Sequence, residues 1–153
     1  MRRLSGVLMA CAILLVPAFS HGHGDLFAQA QKTTYTGDVV VLGFSINPDK
    51  VGDYEKVLGQ LKDALGKSEA PEAKQQLAGW KVLKNATPNP DGTIVYLHVI
   101  SPVVKDADYS ILNNIYTAVK DPTEQKAVYD MYRGAMKQAL FVIQGPMVAD
   151  LSK

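Results

Sequence analysis

The run Val39 to Ile46 constrains this chain more than any other segment. Its eight residues, VVVLGFSI, are mostly β-branched, aliphatic or aromatic, and turn formers bound them: Thr36-Gly37-Asp38 before, Asn47-Pro48-Asp49 after. A strand of this composition must be covered on at least one face, so the remaining residues have to supply a sheet and a layer to pack on it. Asn47 can cap, and Pro48 can open, a following helix whose apolar positions Val51, Tyr54, Leu58, Leu61 and Leu65 recur every three or four residues until Gly66.

The polar stretch Ser68 to Gln76 reads as a loop or short helical turn. Trp80 to Lys84 is a second strand, Pro88-Asn89-Pro90-Asp91-Gly92 is a turn, and Thr93 to Ser101 is a third strand, so the pair forms a hairpin closed by Pro102. Asp106 or Asp108 can cap a helix carrying Tyr109, Leu112, Ile115, Tyr116 and Val119. Asp121-Pro122-Thr123 breaks it and caps another with Val128, Met131, Tyr132, Ala135 and Met136 on one face. Ala139 to Ile143 can extend that helix or begin a strand, Gly145-Pro146 interrupts either, and a short last strand is expected at Met147 to Leu151. The expected fold is α+β with the ferredoxin-like order βαββαβ, an antiparallel sheet with helices on one face.

Alternation along the first strand places the bulky row Val40, Leu42, Phe44 and Ile46 opposite the smaller row Val39, Val41, Gly43 and Ser45. The bulky row is expected to meet the helices. The smaller row, together with Ile94, Tyr96, His98 and Ile100 of the third strand, is expected to form an open apolar face covered by a second copy, a two-fold homodimer. Any gap left by Gly43 would be a pocket walled by Tyr96 and His98.

The element order, the passage through Asn47-Pro48-Asp49-Lys50 into a helix, and the hairpin opening Gly79-Trp80-Lys81-Val82 resemble the dimeric α+β-barrel superfamily. That group includes antibiotic-biosynthesis-monooxygenase-type proteins, relatives that bind or degrade haem, and many members without assigned activity. The resemblance covers roughly Val39 to Leu151 and implies a dimer, with a cofactor-free oxygenase or haem-handling activity as one option. No catalytic residue is matched position by position. Separately, Pro102-Val103-Val104-Lys105-Asp106-Ala107-Asp108-Tyr109-Ser110 resembles a segment of small uncharacterised secreted bacterial proteins, which implies no reaction.

At the amino terminus, Arg2 and Arg3 precede the apolar run Val7 to Val16, which is too short to span a bilayer and reads as a secretory signal. Ala28-Gln29-Ala30 fits a cut that removes residues 1–30, and Ala18-Phe19-Ser20 fits an earlier one. Residues 31–38 are then expected to be a flexible lead-in and 39–153 a single domain, exported to the periplasm or beyond the cell. The longer cut removes Arg2, Arg3 and Asp25 from a total of 16 basic and 15 acidic residues and leaves a neutral chain. Such a chain has no excess charge with which to hold nucleic acid, and no later run is long and apolar enough to span a membrane. The single cysteine, Cys11, lies in the signal, so no disulfide framework or Cys/His zinc cage can form.

The candidate ligand-binding residues are Gly43, Ser45, Tyr96, His98 and Trp80, for a small apolar or aromatic molecule. His98 is the one histidine left after a cut at Ala30 and could be a base, an axial metal ligand or a hydrogen-bonded interface residue. No metal site and no cofactor is implied by the residues themselves. The earlier cut would expose His21-Gly22-His23, which can chelate copper or nickel. Asp106 with Asp108, and Asp121 with Glu124, are explained by helix capping rather than calcium. Tyr109 with Tyr116, and Tyr129 with Tyr132, lie on helical faces and could line a cleft or belong to the core. Neither Ser45 nor Ser101 has the setting of a hydrolase nucleophile, and no phosphate-cradling glycine loop occurs. A purely structural, dimerising protein is the remaining expectation.

Overall fold

The computed structural model describes residues 31–151. The signal sequence, both cut sites, Cys11 and His21-Gly22-His23 lie outside the described residues. The order is β1 (Val39–Ile46), a 3-10 turn at Pro48–Lys50, α1 (Val51–Lys67), α2 (Pro71–Gly79), β2 (Trp80–Lys84), β3 (Ile94–Ile100), α3 (Ile111–Ala118), α4 (Pro122–Ala135) and β4 (Met136–Gly145). The protein is α+β, with four strands in one antiparallel sheet ordered β2-β3-β1-β4.

β1 lies inside the sheet, between β3 and β4, as its uniformly apolar composition requires. Asn47 does not cap α1 with its side chain. Its amide Nδ2 donates to the Gly134 carbonyl at 2.9 Å and its backbone N–H to the Ala135 carbonyl at 3.0 Å, tying the start of α1 to the end of α4. Behind the sheet, α1 buries Tyr54, Val57, Leu61, Ala64 and Leu65 and packs on α2, α3 and α4. The β2–β3 turn is closed by the Asp91 carboxylate, which accepts from the Thr93 N–H and hydroxyl, with Gly92 at φ +81° where a side chain would be strained.

Three segments differ from expectation. Pro71–Gly79 is a full helix rather than a loop; its buried residues are Ala73, Gln76 and Gly79, small or polar groups that leave no hydrophobic stripe to read. Ser110, not Asp106 or Asp108, caps α3 by accepting from the Asn113 N–H. Asp108 instead joins separate segments: its carboxylate accepts from the N–H groups of Thr33 and Ser110 and from Asn113 Nδ2, and its carbonyl from Gln76 and Asn114. The last strand is Met136–Gly145 and not Met147 to Leu151. It begins directly after α4, because the β-rich run Phe141-Val142-Ile143 pairs along β1, and Pro146 ends it after Gly145.

The pairing register decides which rows share a face. Leu42 lies opposite His98, Phe44 opposite Tyr96 and Ile46 opposite Ile94. Directly paired residues project to the same side, so Tyr96 and His98 stand with the bulky β1 row under the helices, not on the open face with Gly43 and Ser45. The buried clusters contain Val40, Leu42, Ile46, Tyr96 and Ile100 from the sheet. The other face carries Val39, Val41, Gly43 and Ser45 of β1, Val95, Leu97 and Val99 of β3, Leu83 of β2, and Phe141 and Ile143 of β4.

Candidate functional site

His98 is fully buried, and both ring nitrogens are engaged. The Trp80 indole N–H can only donate, and it reaches His98 Nδ1 at 3.0 Å, so Nδ1 is the accepting nitrogen. The proton therefore sits on Nε2, which donates to the Tyr54 hydroxyl oxygen at 2.8 Å. Phe44 meets the imidazole edge-on at 5.1 Å between ring centres. Burial alone pulls the His98 pKa down to about 4, so the ring is neutral near pH 7. A base or metal-ligand role would require breaking one of these two bonds inside the core.

Tyr96 is also buried. Its hydroxyl donates to Glu55 Oε1 at 2.6 Å, and Lys84 Nζ meets the same oxygen at 2.9 Å. The hydrogen bond from Tyr96, followed by that from Lys84, holds the Glu55 carboxyl below its usual range, and burial raises the Tyr96 phenol. On the opposite face, Gly43 leaves no gap. A Cβ there would stand 2.6 Å from the Phe141 ring of β4, which occupies the place of the expected pocket. Ser45 is buried beside it, paired with Val95 and Gln138. The five candidates are thus split between two faces, and Trp80 among them borders open space.

That space is a cavity of about 330 Å³ on the helix side of the sheet. β1 contributes Leu42 and Phe44 as its floor, β2 contributes Trp80, and the start of α3 contributes Ile111 and Leu112 after Tyr109 and Ser110. α4 adds Tyr129, Tyr132 and Arg133, and the lead-in adds Thr33 and Tyr35. The lead-in, expected to be flexible, is pinned here. The Thr33 carbonyl accepts from the Tyr109 N–H at 2.7 Å, and the Tyr35 ring lies 5.5 Å from that of Tyr109. Trp80 is fixed by its bond to His98 and by edge contact with Tyr109 at 5.4 Å. Burial raises the phenols of Tyr35, Tyr109 and Tyr132, so all three keep their protons near neutral pH.

On the other side of Trp80 lies a groove of about 360 Å³ lined by Leu58, Leu61, Leu65, Leu77 and Val82 with Lys62. Apart from Trp80 its walls are aliphatic and Lys62 is its one charged group, whereas the aromatic cavity is lined by several rings, hydroxyl-bearing side chains and a guanidinium. Ligand sites need such fixed polar groups to orient what they hold, which favours the cavity. Tyr109, Tyr129 and Tyr132, read as either cleft or core, line it; Tyr116 does not, and its hydroxyl donates to the Gln125 carbonyl. Tyr35 and Arg133 escaped the sequence reading and Phe44 entered it only as part of the helix-facing row, although Arg133 carries a signal, being the single arginine after residue 30.

Comparison with known proteins finds no matching family model, no matching curated relative and no matching solved structure. Among the described residues, no helix is long and apolar enough to cross a membrane.

Proposed function

We propose that this is an exported binding protein for a small aromatic molecule, held in the cavity between Trp80 and Tyr132. The observation that carries the reading is the composition of that cavity: aromatic rings from β1, β2, α4 and the lead-in, three of them phenols that can donate hydrogen bonds. Its volume of about 330 Å³ is that of a compact site for a one- or two-ring ligand. The only imidazole among the described residues is buried with both nitrogens bonded, and the Tyr35, Tyr109 and Tyr132 phenols are raised by burial, so the cavity offers rings and donors rather than a poised base. That balance favours binding over catalysis. Export rests on the charged and apolar pattern of residues 2–16.

The second part of the proposal concerns the open face. The strand order β2-β3-β1-β4, with helices gathered on one side, supports a ferredoxin-like sheet of the dimeric α+β-barrel type. Its uncovered side presents Leu83 at 53% and Ile143 at 63% exposure among valines, leucine and phenylalanine, and a second copy would bury this row.

Trp80, the only tryptophan, reports directly on the cavity. Titration with neutral 3-phenylpropanamide, exciting at the indole, is expected to shift Trp80 emission saturably. Leu112→Phe, which fills the cavity from α3, is expected to abolish the response while the circular dichroism is unchanged. Saturable binding unaffected by Leu112→Phe would move the site elsewhere and overturn the reading.

A further inference from the structure

Resting on that cavity, we infer that the natural ligand is an aromatic carboxylate whose charged group is held by Arg133. Arg133 stands in the last turn of α4, next to Tyr132, and lines the cavity while remaining exposed to solvent. Among the described residues it makes no ion pair and no side-chain hydrogen bond, although lysines of this chain pair with carboxylates at Asp53, Glu55 and Asp130. Arg133 is the one charged side chain among them that lines the cavity; the Asp108 carboxylate lies behind Thr33 and Ser110, where it accepts from their N–H groups and from Asn113 Nδ2.

The neighbouring groups suit the same anion. Tyr35, Tyr132 and Arg133 all line this one cavity. A guanidinium offers a planar fork that matches a carboxylate, and two protonated phenols can donate beside it. Past this polar group, Phe44 and Trp80 give the rest of the molecule flat, apolar walls. An apolar body ending in a carboxylate satisfies both halves, whereas a neutral hydrocarbon would leave the arginine unused.

The test compares 3-phenylpropionate with 3-phenylpropanamide, isosteres differing in charge, by Trp80 emission and calorimetry at physiological salt. The acid is expected to bind at least about tenfold more tightly, as a charge-assisted contact implies. Arg133→Gln is expected to remove the advantage of the acid over the amide, and Arg133→Lys to retain part of that preference. Thermal melting of each variant checks that the fold persists. Equal affinity for acid and amide in the wild type, or a preference that survives Arg133→Gln, overturns the carboxylate assignment while leaving the cavity reading intact. Failure of both compounds to bind overturns the two together.

Discussion

The two faces of this sheet are built from the same strands and are almost equally apolar, yet they are finished in opposite ways. Under the helices, Leu42, Ile46, Tyr96, His98 and Ile100 are buried, and the polar atoms of the aromatic and imidazole side chains among them are paired. On the far side, Val41, Leu97, Val99 and Ile143 stay partly or largely exposed, with Phe141 laid over Gly43. The difference teaches that apolar composition alone does not locate a site. The face with unfinished apolar surface suits association, while the face whose rings leave an open volume suits a ligand.

The largest effect on this comparison is expected from His98→Ala. It strands the Tyr54 hydroxyl and the Trp80 N–H in the core and opens a void, and urea denaturation is expected to register a loss of about 3–5 kcal/mol. A loss below about 1 kcal/mol would mean that the His98 bonds do not organise the covered face.

Acid should also act on that face. The unfolded chain binds a proton at His98 below about pH 6.5, its usual value, whereas the folded chain does so only below about 4. Stability from this group is therefore complete above pH 6.5 and is lost progressively down to pH 4, by about 3 kcal/mol in total. Urea midpoints across that range are expected to fall in the wild type and to lose much of this slope in His98→Phe. An unchanged slope would assign the acid sensitivity to carboxylates such as Glu55.

Effects on the open face should be smaller in stability and larger in association. Gly43→Ala places a methyl against the Phe141 ring, an exposed edge-strand side chain that can swing aside, so about 1 kcal/mol is expected in thermal or urea unfolding. Ile143→Lys is expected to change monomer stability by less than about 0.5 kcal/mol. Sedimentation should nevertheless show it converting a dimer to a monomer, and a wild type that sediments as a monomer at high concentration would remove the dimer proposal.

Much of the architecture was legible in the sequence. β1, β2 and β3 announced themselves by β-rich runs between turn formers, and Asp121 capped α4 as its position implied, accepting from the N–H groups of Thr123 and Glu124. Alternation reveals which residues of one strand share a face, but not which row of the next strand joins them. Shifting the partner by one residue reverses the answer, and so Tyr96 and His98 were assigned to the wrong side. The cavity was harder to read because its walls come from the lead-in, two strands and two helices that meet only in the folded chain. Tyr129 and Tyr132 look like an ordinary core stripe until Tyr35 and Phe44 close around them.

The most direct test of the central claim is to map 3-phenylpropionate onto the isotope-labelled protein by nuclear magnetic resonance, because both faces are read in one experiment. Binding on the helix side should move the Trp80 indole N–H and the methyl signals of Leu42 and Leu112, leaving Leu83, Val99 and Ile143 in place. Shifts concentrated on Leu83, Val99 and Ile143 would put the ligand on the open face and contradict the account.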